Sequence, residues 1–160
     1  MFDYIFGLPM HVLVIHGIVV LVPLVAVVAI AFAVLPRWRP ILRWPAAIGA
    51  VLSAIGAWVA AQSGEALLIR VSQVRSATTD FDLVNEHVDA GYRVRLVATI
   101  FMLVVLVASW LLKEPAREGG TPRPLQALLA VLVVAASLAV ILTVVLAGHA
   151  GSAAVWSDLG

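Results

Sequence analysis

MHVLVIHGIVVLVPLVAVVAIAFAVL, residues 10–35, decides the fold. The stretch contains no Asp, Glu, Lys or Arg and is longer than the roughly 20 apolar residues a helix needs to cross a bilayer. Its apolar residues run on without the alternation of a half-buried strand or the polar stripe of a surface helix, so lipid is the solvent it suits. Pro36 closes it, and Pro23 lies inside it, where a membrane-embedded helix tolerates the lost backbone donor if neighbours satisfy the freed carbonyl.

Working outward, three more apolar runs follow at about 45–68, 92–112 and 125–148, joined by a short basic loop, a long polar connection at about 69–91 and a Gly- and Pro-containing loop. Of the 160 residues 63% are hydrophobic and 12% are charged, and nearly all the charges fall between or at the ends of the runs, which excludes an ordinary soluble surface. The expected fold is an all-α integral membrane protein, a single four-transmembrane-helix bundle. Small residues in the second and fourth runs, among them Gly49, Ser53, Gly56, Ala136 and Ser137, let helices approach closely. No internal repeat stands out. A net charge of +1, with arginines at helix ends, gives no nucleic-acid surface. The chain has no cysteine, so any metal would have to use nitrogen or oxygen ligands.

Orientation follows from Lys and Arg in short loops. Arg37, Arg39 and Arg43 in the first loop and Lys113, Arg117 and Arg123 in the third place those loops in the cytoplasm. Both termini are then exterior, and the expected location is the cytoplasmic (inner) membrane of a bacterium. The start of the chain lacks a basic n-region, so the first run is expected to remain as a span. Trp38, Trp44 and Trp110 fall near the inner interface and Trp156 near the outer one.

All four histidines, His11, His16, His87 and His149, lie in the outer half. At 1.5 Å per residue, His11, His87 and His149 stand roughly 36 Å, 37 Å and 36 Å from the cytoplasmic ends of their helices, so three helices bring an imidazole to one level. His16 lies about 7.5 Å deeper, inside an apolar run where an ionisable group is costly without a partner. Imidazoles converging from facing helices are a way bundles build cofactor sites. Glu65, Glu86 and Asp89 are placed to be ligands or to orient the outer N–H of a ligating histidine, and Arg93 and Arg95 to neutralise haem propionates. For each histidine the plainer alternative is a helix cap or an interfacial side chain.

The motifs resemble a known family. Gly7-Leu8-Pro9-Met10-His11 followed by His16-Gly17, Ser63-Gly64, His87 with Gly91, and Gly148-His149-Ala150-Gly151 are similar to those of the bacterial membrane family called domain of unknown function 2231. Val12 and Ser152 depart from its pattern, while the histidines are intact. The resemblance implies four spans and an association with redox or haem chemistry. Some members are fused to a Rieske-type iron–sulfur domain, which this chain lacks.

Three functions remain open on the sequence. The preferred one is a small membrane redox subunit with a single histidine-ligated centre near the exterior face, b-type haem being the favoured cofactor and a quinone or a redox protein its partner. A second is a non-haem Zn, Cu or Fe site using His11, His87 and His149 with Glu65 or Glu86. The third is a non-catalytic accessory subunit of a larger membrane complex or a homo-oligomer.

Overall fold

A computed structural model describes residues 4–5, 7–74, 81–112 and 121–156. The chain opens with a two-residue antiparallel pair, β1 (Tyr4–Ile5) and β2 (Leu8–Pro9), turned by Gly7 at φ 79°, a backbone conformation that glycine adopts without steric cost. Four helices follow: α1 (Met10–Val34), α2 (Arg39–Val74), α3 (Phe81–Leu111) and α4 (Arg123–Trp156). A 3-10 turn at Pro36–Trp38 joins α1 directly to α2.

All four helices are long and apolar enough to cross a membrane. Their outer faces are apolar too: Val20, Leu24, Ile41, Leu96 and Val131 are all more than half exposed. Such surface would be a liability in water and is normal in lipid.

The helices reach beyond the expected spans. Instead of the connection at about 69–91, α2 continues to Val74 and α3 starts at Phe81. The reason is periodicity: Leu83, Val84, His87 and Val88 recur one turn apart and are all partly buried, so the polar residues between them occupy the other face of a continuing helix. The basic loop likewise shrinks to the 3-10 turn, with α2 beginning at Arg39 and Pro40 fitting its first turn.

Each helix packs on two neighbours, α1 and α3 both lying against α2 and α4, so that α1 faces α3 and α2 faces α4 across the diagonals. Glycine permits the closest approach. A Cβ on Gly49 would stand 2.6 Å from Val25 Cγ2, and one on Gly56 would collide with Ile18 Cδ1. The centre is filled by Val22, Phe32, Phe101, Val105, Val133 and Val140.

The packing exposes an internal repeat that residue identities had hidden. A shift of 76 positions carries the buried α1 residues Ile18, Val22, Val25, Ala29, Phe32 and Ala33 onto Val94, Ala98, Phe101, Val105, Ala108 and Ser109 of α3, all buried. A shift of 87 carries Ala46, Ala50, Ser53 and Ala57 of α2 onto Val133, Ser137, Val140 and Val144 of α4. The bundle is therefore two copies of one helical hairpin, α1–α2 and α3–α4, related by an approximate two-fold axis along its length.

Candidate histidine centre

His11 lies in the first turn of α1, and helical side chains lean toward the N-terminus, so its ring reaches the end of the bundle where both termini lie. Its Nδ1 stands 2.9 Å from the carbonyl oxygen of Ala60 on α2. A carbonyl only accepts, so Nδ1 carries the proton and, in the neutral ring, Nε2 carries the lone pair. The Ser63 hydroxyl donates to the same carbonyl at 3.0 Å and lies 3.4 Å from Nδ1. One turn beyond Ala60, Gly64 leaves room for the ring; a Cβ there would lie 3.0 Å from His11 Cε1.

The second hairpin repeats this arrangement. His87 in α3 places Nδ1 3.1 Å from the carbonyl of Ala147 on α4, and a Cβ on Gly151 would lie 2.9 Å from His87 Cε1. Both cradles read Ala-x-x-x-Gly: the carbonyl accepts, and the missing side chain one turn later admits the imidazole. The same shifts that align the core carry His11 onto His87, Ala60 onto Ala147 and Gly64 onto Gly151.

The two rings meet across the α1–α3 diagonal, their centroids 6.0 Å apart and their planes at 76°. Both are half-buried, and neither Nε2 has a hydrogen-bond partner among the described residues. Two nearly perpendicular imidazoles, each fixed in tautomer by a backbone carbonyl, can ligate a metal through their free nitrogens.

His149 shares the level expected for it, lying between Ala147 and Gly151 on α4, but it faces outward and is exposed. His16 is exposed as well and its Nδ1 bonds the carbonyl of Val12 in its own helix. The structure thus joins two of the four histidines. Glu65, Glu86, Asp89 and Arg93 are all exposed, and backbone carbonyls, not carboxylates, hold the rings. Among the described residues no group of three or more His, Asp or Glu comes together to hold a metal, so the expected set of three histidines with Glu65 or Glu86 is not assembled. Arg95 lies over the rings of Trp58 and Tyr92, and the Tyr92 hydroxyl donates to Glu65 at 2.8 Å.

Ala60 and Ala147 carry no chemistry in their side chains, so sequence reasoning passed over them. The only available signal was the recurrence of His with Ala-x-x-x-Gly, and it was masked because the two helices of the hairpin repeat at different spacings, 76 and 87 residues.

Compared with known families, residues 7–159 match the one described as a predicted membrane protein, domain of unknown function 2231. No curated protein and no solved structure matches the chain.

Proposed function

Since the chain belongs to this family of predicted membrane proteins, we propose that it is a small membrane redox subunit whose His11 and His87 hold a b-type haem between them. The observation that carries the reading is the facing pair, each ring bonded at Nδ1 to a carbonyl and free at Nε2. One metal ion held by two imidazole nitrogens at about 2 Å each puts the ring centroids roughly 6 Å apart, and the observed separation is 6.0 Å. A pair with no third His, Asp or Glu beside it among the described residues suits a haem, whose macrocycle would supply the remaining donors, better than it suits a tetrahedral zinc site.

When bound, the haem would supply one-electron transfer. The chain's own residues do the rest. Ala60 and Ala147 fix the tautomers and raise the basicity of the rings, Gly64 and Gly151 set their positions, and the apolar bundle beneath keeps the centre at one end. The concentration of short-loop arginines at the opposite end supports placing the histidine end on the exterior side of the membrane.

The test is the optical and EPR spectrum of detergent-purified protein, oxidised and dithionite-reduced. A low-spin haem spectrum of the kind that ligation by two imidazoles would give is expected. His11→Ala and His87→Ala should each lose it, whereas His16→Ala and His149→Ala, which alter exposed residues, should retain it. Colourless protein that takes up no haem on reconstitution would defeat the reading. Zinc or copper retained instead would point to a two-imidazole metal site.

A further inference from the structure

We propose that the α2–α3 face beside the histidine pair binds the headgroup of a lipid-borne quinol. Five side chains form a connected polar patch there. The Arg95 guanidinium lies 4.5 Å over the Trp58 ring and 4.9 Å over the Tyr92 ring, the Tyr92 hydroxyl donates to Glu65 Oε1 at 2.8 Å, and the Trp58 indole donates to Thr99 at 3.1 Å. Arg95 makes no hydrogen bond or ion pair among the described residues, and neither does Glu65 Oε2. The patch therefore offers a donor fork and an acceptor oxygen, flanked by two aromatic faces.

The internal repeat shows that packing does not require this patch. The residues related to Arg95, Thr99, Tyr92, Trp58 and Glu65 on the α4–α1 face are Val19, Pro23, His16, Val145 and Ser152. The second copy of the same interface packs without the cation, the indole or the carboxylate.

Position and charge select the ligand. Tyr92 follows His87 by five residues, about 7.5 Å along the helix, and Arg95 lies about 12 Å along, so the patch sits within about two turns of the pair. Toward the middle of the bundle the same helices expose Leu52, Ile55, Ile100 and Leu103, an aliphatic surface for a polyprenyl tail. A phosphate headgroup would meet the Glu65 carboxylate as a like charge. A neutral quinol meets both groups: one ring oxygen accepts from Arg95 and the opposite hydroxyl donates to Glu65 Oε2, beside the two aromatic side chains. Exchange of electrons with the histidine centre rests on the haem reading; binding at the patch does not.

The test uses the full chain in nanodiscs of neutral lipid, with Trp38, Trp44, Trp110 and Trp156 changed to Phe so that Trp58 is the sole indole, titrated with decylubiquinol under reducing conditions. Saturable quenching of Trp58 is expected, and Arg95→Ala, Tyr92→Phe and Glu65→Gln should each weaken half-saturation by tenfold or more without changing the circular dichroism. These residues are exposed or partly exposed, so the variants should fold. Should a variant not fold, crosslinking of an azidoquinol to α2 and α3 peptides of the unmodified chain decides instead. Linear, non-saturating quenching, crosslinking spread over all four helices, or displacement by phosphatidylglycerol at the mole fraction that also releases a soluble phosphate ester would overturn the proposal, the last result marking an anionic-lipid anchor. Haem-free protein that still quenches saturably sinks the haem reading alone; haem-loaded protein that does not sinks this site alone.

Discussion

Gly151→Ala isolates the cradle from the rest of the fold. The new Cβ would lie 2.9 Å from His87 Cε1, whereas carbon atoms prefer about 3.5–4.0 Å, so the ring must retreat by about 0.6 Å or more. Its hydrogen bond to Ala147, at 3.1 Å, is already near the long end of the useful range, and that retreat breaks it. The lost bond costs about 1 kcal/mol, while alanine in place of glycine in a helix returns about 1 kcal/mol. Global stability should therefore stay within about 1 kcal/mol of the parent. Ligation should not: displacing the group that orients a ligating histidine typically costs about 10- to 100-fold in affinity. Haem titration of purified apoprotein, alongside thermal unfolding, separates the two effects. Gly148→Ala, where the added Cβ meets nothing within 4 Å, is the control and should bind as the parent does. ¹⁵N NMR of the imidazoles adds a readout that needs no cofactor, because His87 freed from Ala147 should lose its bias toward the Nδ1–H tautomer. If Gly151→Ala matched Gly148→Ala in affinity and kept the parent tautomer, the ring would not rest on Gly151 and the reasoning would fail.

Gly49→Ala should destabilise the α1–α2 contact more than Gly56→Ala in thermal unfolding, by about 1–3 kcal/mol, because Gly49 meets the stiff, branched Val25 whereas Gly56 meets the flexible tip of Ile18. Equal losses would show that backbone spacing, not side-chain give, controls the cost. Arg39 is 4% exposed, donates to Gln126 and Ala33, and leaves Nε without a partner among the described residues. Arg39→Met should thus change stability by less than about 1.5 kcal/mol, while Gln126→Leu, which strands the guanidinium, should cost about 1–3 kcal/mol in the same assay; the reverse order would show a counter-charge on Arg39. Ser137→Ala should be neutral or stabilising, since that buried hydroxyl has no hydrogen bond among the described residues, and a loss above about 1 kcal/mol would reveal a bound water.

The four helices were legible because lipid imposes a one-dimensional rule, a long apolar run for each crossing, which Met10–Val34 obeys without interruption. The level of the histidines was legible for the same reason, helical rise being constant. Which way each ring points was not. His16, set in an apolar run where an ionisable group is costly without a partner, is exposed, while His11 and His87, near helix ends, are the pair that meets. A helix that is apolar all round gives no stripe from which to read its inner face. The carboxylates were overvalued because their charge is visible in a sequence, whereas the acceptors in use are carbonyls that every residue has. Small residues did mark the close contacts, Gly49 and Gly56 against α1 and Gly64 against His11.

The duplicated hairpin explains why the chemistry collects on the axis. In a two-fold bundle, a residue near the axis meets its own counterpart, so one position in the hairpin yields a facing pair. Whether identity can be kept there depends on charge. At one end the counterparts are His11 and His87, which can face each other as neutral rings. At the other end the position holds Arg39 in one copy and Gln126 in the other, donor to acceptor at 3.0 Å; two arginines there would repel across a low dielectric. In the core between the two ends the copies have drifted in volume, Val25 against Phe101 and Phe32 against Ala108, one enlarging where the other shrinks, as cores tolerate when total volume is kept. His, Ala and Gly of the cradle have not drifted at all. Packing permits substitution at such positions, as the outer face of the same interface shows with Glu65 against Ser152. The identity of the two cradles is therefore better explained by a ligand that needs both imidazoles presented alike than by the requirements of the fold.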